Sequence, residues 1–352
     1  MNSLNSKIDF AVIFSVKNAN PNGDPLNGNR PRTDYDGYGE ISDVCLKRKI
    51  RDRLQDRGET IFVQSDEKKT DGMSSLKNRA ESEDFGLGKD AFNIKKTTPE
   101  QTAKLACEKW LDVRSFGQLY AFKNESKDGV SIPIRGPVTI QSAFSFEPVS
   151  ITSTQITKSV SGEGDGAKKS SDTMGMKHRV DSATYVAFGA MSPQLAERTG
   201  FSDQDALTIK KVLPRLFEGD ASSARPEGSM AVEKVIWWQH DSKSGQYSSA
   251  KVHRSLQTYI DAGGELDADA LEKALDSALP PLSASSALLP WPVLLLLWPP
   301  YVACRGIQYM RSHPSAAHRL VPVRHLPRWR RKAPPYIDRL PRKLCSATDT
   351  SP

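Results

Sequence analysis

The chain has 352 residues, 49 Lys plus Arg against 42 Asp plus Glu, a formal charge of +7 and 38% hydrophobic residues. This composition, with no internal repeat, excludes a collagen-like chain, a coiled coil and disorder over the whole length, while the positive balance suggests an anionic partner such as nucleic acid. The charge is unevenly placed, however: residues 281–352 hold 11 Lys and Arg against 2 Asp, so the first 280 residues are close to neutral.

Ile8, Phe10, Val12, Phe14 and Val16 alternate with Asp9, Ala11, Ile13, Ser15 and Lys17, the period of a strand with one apolar face and one mixed face. Residues 18–32 are rich in Asn, Pro, Gly, Asp and Arg, which favour turns and a solvated loop. Ser42 caps a helix that runs to about Gln55, because Leu46, Ile50 and Leu54 recur every fourth residue and Gly58 supplies a stop. Lys47, Arg48 and Arg51 share another face of this helix, with Lys49 and Arg53 near its edges. Asp43, Asp52 and Asp56 balance half of that charge, so a solvated face explains it as well as phosphate binding does.

Residues 64–96 are polar and of mixed charge, and read as an insertion or a partly mobile loop. Thr98-Pro99-Glu100-Gln101 then combines an N-cap, Pro at the first helical position and Gln at the third, opening a helix that buries Ala103, Ala106, Cys107, Trp110 and Leu111. After the turn-like Arg135-Gly136-Pro137, a second strand is expected in which Val138, Ile140, Ser142, Phe144 and Phe146 share one face. Residues 151–179 have few large apolar side chains and should project from the core. Strand character resumes over Val180–Met191, a helix follows over Ser202–Phe217, then a strand over Val232–Gln239 and a short helix over Asp267–Leu279. Strands and helices mix without regular alternation, which predicts an α+β fold around an antiparallel sheet.

Catalytic and cofactor signatures are weak. No Walker A sequence occurs, and Gly162, Gly164 and Gly166 lack dinucleotide-binding spacing, so a flexible loop is the better reading. His178, His240 and His253 are scattered, and Asp34, Asp36 and Glu40 do not follow a calcium loop. Neither a metal nor a cofactor is expected. The four cysteines form no CxxC pair, the N-terminus lacks a secretory pattern, and Leu288–Cys304 is interrupted by four prolines, which together predict a cytoplasmic protein that does not engage a membrane.

Basic residues at loops are the stronger signal: Arg30 and Arg32, Lys47, Arg48 and Arg51, Arg135, and Lys177-His178-Arg179 could neutralise phosphates along a groove. Met174 and Met176 could wedge between bases or fill a core.

Five motifs occur in order: Asn18-Ala19-Asn20-Pro21-Asn22-Gly23-Asp24-Pro25, Asn29-Arg30-Pro31-Arg32-Thr33-Asp34, Asp112-Val113-Arg114-Ser115-Phe116-Gly117, Ile134 to Gln141, and Ala224-Arg225-Pro226-Glu227-Gly228. Together, over about Ile8 to Leu279, they resemble the crRNA-binding backbone subunit of the type I-C CRISPR surveillance complex Cascade, in the seventh Cas protein family of the RAMP superfamily. The resemblance implies a modified RRM-like (ferredoxin-like) palm with inserted finger and thumb elements in a domain over residues 1–280, with 64–96 in the finger region and 151–179 as thumb. It also implies several copies polymerising on one guide RNA, pairing of the guide with target DNA, and association with a processing subunit and a large subunit. The RNA-binding set it suggests is Asn20, Asn22, Arg30, Arg32, Lys47, Arg48, Lys49, Arg51, Arg114, Arg135, Gln141, Met174, Met176, Lys177, His178, Arg179 and Arg225.

The expected function is non-catalytic. The alternative is a metal-dependent RNA endonuclease using a loop aspartate, for which Asp24 is the candidate, although Asn22-Gly23-Asp24-Pro25 is also what a tight turn requires. Residues 281–352 depart from the resemblance and read as a disordered, out-of-frame replacement of the natural ending. A genuine basic, membrane-seeking or RNA-binding extension is the competing reading.

Overall fold

The protein is described by a computed structural model covering residues 3–287 except 94, 123–129, 160–173, 265, 281 and 283. The segment 288–352, with the expectations placed on it, lies outside the described residues.

The elements follow in chain order. Strand β1 is Ile8–Ala19; the short strands β2 (Gly23–Asp24) and β3 (Arg30–Pro31) form a hairpin around a 3-10 turn; β4 is Tyr38–Ile41, and helix α1 is Asp43–Asp56. Helices α2 (Leu76–Glu81), α3 (Pro99–Lys109) and α4 (Leu111–Phe116) precede the hairpin of β5 (Gly117–Phe122) and β6 (Val130–Arg135). Strands β7 (Val138–Ile140), β8 (Ala143–Pro148), β9 (Ile151–Thr157) and β10 (Met174–Met191) come next, then α5 (Pro193–Thr199), α6 (Asp203–Val212), β11 (Met230–Gln239), α7 (Ser249–Asp261), α8 (Ala268–Ala278) and β12 (Ala284–Ala287). The fold is α+β.

The main sheet runs β12-β11-β1-β10-β8-β4, with β7 and β9 also paired to β10, and its pairings are antiparallel. β1 is central and is covered on both faces. Ile8, Phe10, Val12, Phe14 and Val16 face a core built with Leu46, Ile50 and Leu54 of α1 and Ala206, Ile209 and Val212 of α6. Ala11 and Ile13 face a second core with Val252 and Leu256 of α7 and Leu271 and Leu275 of α8. The mixed face expected from the sequence is therefore interior over Asp9, Ala11 and Ile13, with Asp9 buried on it, and emerges to solvent at Lys17.

Within the first core, Gly189 of β10 stands opposite Phe10 in the register. A Cβ built at Gly189 would come 2.2 Å from the Phe10 ring. That ring stacks on Trp237 with centroids 5.6 Å apart. Gly189→Ala is expected to cost about 1–3 kcal/mol by overpacking, measured as a shift in the denaturant midpoint at constant slope.

Two sequence expectations are corrected here. The strand expected over Val138–Phe146 is two strands, because the register moves by one residue between the pairs Ile140↔Gly189 and Phe144↔Val186. The extra residue forms a bulge, and a one-residue slip exchanges the faces. Val138, Ile140, Ala143 and Ser145 are consequently buried, while Phe144 is 41% exposed.

The second correction concerns residues 64–96. They contain α2 and a 3-10 turn at Lys89–Phe92, and they pack into a third core in which Ala80, Ala91 and Phe92 meet Ala106, Cys107, Trp110 and Tyr120. Arg79 is buried in this segment, bound to Asp71 and to the Phe62 carbonyl at 2.9 Å. The mixed charge that suggested a mobile loop is partly spent on this internal pair.

The predicted caps of α1 and α3 are present: Ser42 Oγ accepts from Cys45 N–H, and Thr98 with Gln101 completes a capping box. Ser202 and Asp205 form a second box at α6. Helices α5 and α7 go beyond the sequence reading.

Candidate nucleic-acid interface

The first loop leaves β1 through Asn18, at φ 53°, and folds back through the β2–β3 hairpin, where Gly28 and Asn29 sit in the left-handed region at φ 58° and 60°. Asn20 is buried, and its Nδ2 donates to the Asn29 carbonyl at 2.7 Å. Asn22 Oδ1 accepts from both the backbone and the hydroxyl of Ser42, at 3.0 Å each, tying the loop to the start of α1. Both residues of the expected RNA-binding set thus shape the loop.

Asp24 behaves similarly. Its Oδ1 accepts from Leu26 N–H at 3.2 Å, capping the 3-10 turn, and lies 3.6 Å from the Arg32 guanidinium. These are the contacts of turn chemistry. Among the described residues, no group of three or more His, Cys, Asp and Glu side chains could hold a metal ion.

Beside this loop rises an arm formed by β9 and the first half of β10, paired from Ile151↔Val180 to Thr157↔Met174. Its side chains are largely exposed, including Met174 at 64% and Met176 at 55%. Lone apolar side chains on a solvated hairpin do not fill a core, so the core-filling alternative for these methionines is excluded.

Where the arm meets the body, Ile156, Met176, Lys177 and His178 line a cleft of about 240 Å³ together with Asn20, Asn29, Ser223 and Ala224. His178 Nδ1 is 2.8 Å from Ser153 Oγ, which fixes the imidazole across the arm. Arg179 lies just below, exposed and 3.8 Å from Asp181. The cleft combines an ammonium, amide groups and exposed apolar side chains, the combination that suits a flexible single-stranded polynucleotide.

The remaining cations divide into two groups. Arg30 and Arg135 are exposed, as is the polar Gln141. The rest face carboxylates of the same chain, at the surface for Lys47 and Arg48 and in more buried positions for the others. Arg51 Nε donates to Asp112 at 3.0 Å, and Arg114 binds Asp205 with two nitrogens, at 3.1 and 2.8 Å. Lys47 pairs with Asp43 at 2.9 Å, and Arg48 lies near Asp52 and Glu67. Lys49 is 3% exposed and bound to Asp220, as is the partly buried Arg225. For Lys49, Arg51 and Arg114 the structure supplies a carboxylate partner within the chain. Helical spacing places Lys49 beside the core face of α1, where burial makes a counter-ion necessary.

Sequence reasoning missed Asn29, Ile156, Ser223 and Ala224. Ile156 had a signal, as the lone large apolar residue within Thr154-Gln155-Ile156-Thr157. The wall formed by Ser223 and Ala224 depends on a contact between segments about 200 residues apart, which no local pattern contains.

The motifs also meet one another. Gly117, at φ 81°, ends α4 so close to β6 that a Cβ would lie 2.3 Å from the Ile134 carbonyl, and one at Gly136 would lie 2.3 Å from that of Ser115. Motifs separate in sequence are thus one packed unit beside the sheet.

Residues 6–274 match the sequence profile of the family described as CRISPR-associated protein Cas7. The chain belongs to the Cas7 family. A curated member from Haloferax volcanii, also described as CRISPR-associated protein Cas7, is 27% identical over 279 residues, covering 76% of this chain and 79% of its own. Two solved chains titled as CRISPR RNA-guided surveillance complexes, one of them pre-nicking, align over 80% of this Cas7-family chain and 91% and 89% of their own. Their identities are 17% and 15%, with TM-scores of 0.44 and 0.42. Among the described residues, no helix of the Cas7-family chain is long and apolar enough to cross a membrane.

Proposed function

We propose that this Cas7-family protein is a non-catalytic, crRNA-binding backbone subunit of a cytoplasmic type I-C Cascade complex. Copies polymerise along the guide RNA, present it for pairing with target DNA in antiviral defence, and join a processing subunit and a large subunit. In this reading the main sheet is a modified RRM-like palm within a domain spanning residues 1–280, residues 64–96 belong to the finger region and residues 151–179 are the thumb. The observation that carries it is the cleft at the root of the arm, set in a chain matched to the Cas7 family over residues 6–274. A protein that leaves sequence reading to base pairing must hold phosphate and ribose irrespective of sequence, and exposed Lys177 of the cleft, with exposed Arg30 and Arg179 adjoining its lining residues, meets that requirement.

The full chain should bind unrelated single-stranded RNAs with similar affinity and a steep fall with added salt. Combined Arg30→Glu, Lys177→Glu and Arg179→Glu substitutions should weaken binding to all of them. The salt slope should fall by roughly 2, at about 0.7 per phosphate contact on a single strand. Absent or salt-insensitive binding by the unaltered protein would refute the proposal.

A further inference from the structure

Lys49 lies under the loop that follows α6. Its ammonium binds Asp220 Oδ2 and stands 5.6 Å from the centroid of the Phe217 ring. The same carboxylate oxygen accepts from Arg225 Nε at 3.1 Å. Burial alone would raise the Asp220 pKa, but the charges and hydrogen bonds of Lys49 and Arg225 outweigh it and hold the carboxyl below its ordinary value.

Arg225 closes a tight turn. Ser222 N–H donates to the Arg225 carbonyl at 2.8 Å, while Arg225 N–H donates back to the Ser222 carbonyl at 3.1 Å and reaches its hydroxyl at 3.2 Å. The two residues held between them, Ser223 and Ala224, form one wall of the cleft at the root of the arm. The Ala224 carbonyl also accepts from Asn20 N–H at 2.9 Å, which attaches the first loop to this turn. The carboxylate therefore connects α1 to the turn, and the backbone of the turn connects in its own right to the first loop.

We infer that Asp220 is a positioning residue for RNA binding: held from beneath by Lys49, it fixes Arg225 and the Ser222–Arg225 turn where Ser223 and Ala224 complete the cleft. The inference rests on the RNA-binding reading above. It also opposes the simplest electrostatic expectation, since deleting an acid beside a polyanion site should strengthen binding by charge alone. Positioning requires the reverse.

The test compares Asp220→Asn, Asp220→Glu and the double variant Lys49→Met with Asp220→Leu on a mixed-sequence single-stranded RNA, below each protein's melting temperature. Asp220→Asn should bind about tenfold more weakly, because the carboxylate contacts that align the turn are lost. Its salt slope should not fall, because no phosphate contact is removed. Asp220→Glu should recover part of the affinity. The double variant replaces a buried ion pair by apolar side chains, so it should melt near the unaltered protein yet bind weakly. Binding by Asp220→Asn at or above the original affinity overturns the inference, as does a double variant that both melts and binds like the unaltered protein. If the unaltered protein binds no RNA, the RNA reading fails and takes the inference with it.

Discussion

Asp112→Ala is expected to destabilise the protein by about 3–5 kcal/mol, in the range for breaking a buried ion pair from one side. Asp112 is fully buried. Its Oδ1 accepts from Phe62 N–H at 2.7 Å, and its Oδ2 accepts from Val63 N–H and Arg51 Nε at 3.0 Å each. Alanine would leave two backbone donors and a guanidinium without their acceptor, and each buried unsatisfied group costs about 1–3 kcal/mol. The contacts also span three pieces: α1 through Arg51, the chain entering residues 64–96 through Phe62 and Val63, and α4 through Asp112 itself. Loss of the carboxylate should therefore loosen the third core, with Phe62, Trp110 and Tyr120, against the first. Denaturant unfolding measures the cost, and hydrogen exchange should show faster exchange at Phe62 and Val63. A change below about 1 kcal/mol would contradict this account.

This role changes how the motif around Asp112 is understood. The resemblance placed Arg114 in an RNA-binding set, but Arg114 forks onto Asp205 at the start of α6, and Gly117 admits the backbone of β6. A motif of Asp, Arg and Gly carries both kinds of chemistry, electrostatic and conformational. Sequence alone does not distinguish a guanidinium that waits for phosphate from one that already holds a carboxylate 91 residues away.

What was legible was whatever depends on short-range physics. β1, the caps at Ser42, Thr98 and Ser202, and the late strand ending at Gln239 each follow from a period or a capping residue within a few positions. The bulge between β7 and β8 was not legible, because alternation continues through Ser142 in the sequence while the pairing partner decides the face. Residues 64–96 misled for a related reason. Their apolar residues, Ala80, Ala91 and Phe92, are too few to build a core alone but suffice against α3 and the β5–β6 hairpin. At the site, exposed Met174, Met176 and Lys177 are where a projecting polar segment should put them. The second wall of the cleft comes from the Ser222–Arg225 turn, which meets the first loop through the Asn20 N–H to Ala224 carbonyl bond across about 200 residues.

Asp9→Asn is the second substitution with a large expected effect, and it separates charge from shape. Asp9 is fully buried on β1. One of its oxygens contacts Lys7 Nζ at 3.1 Å and His240 Nε2 at 2.9 Å, while His253 Nε2 lies 3.3 Å from the other. His253 also bonds the Gly189 carbonyl at 3.2 Å, and His240 Nδ1 accepts from Gln246 N–H at 3.0 Å, so the cluster fastens β1, the end of β11 and α7 together. Burial alone would raise the Asp9 pKa. The hydrogen bonds of His240, His253 and Ser249 and the charge of Lys7 outweigh it and hold the carboxyl far below the ordinary carboxylate range. The native state therefore keeps its charge at pH values where the unfolded chain, with a carboxyl pKa of about 3.9, has begun to take up protons. The stabilisation is complete above about pH 5 and is lost progressively as pH falls below about 4. Asparagine preserves the volume but removes the charge facing Lys7, at an expected cost of about 3–5 kcal/mol at neutral pH. The variant should also lose the share of the acid-side slope that Asp9 carries, so its stability curve and that of the unaltered protein should draw together as pH approaches 2. Parallel curves over that range would show that the Asp9 charge does not carry the stability assigned to it here.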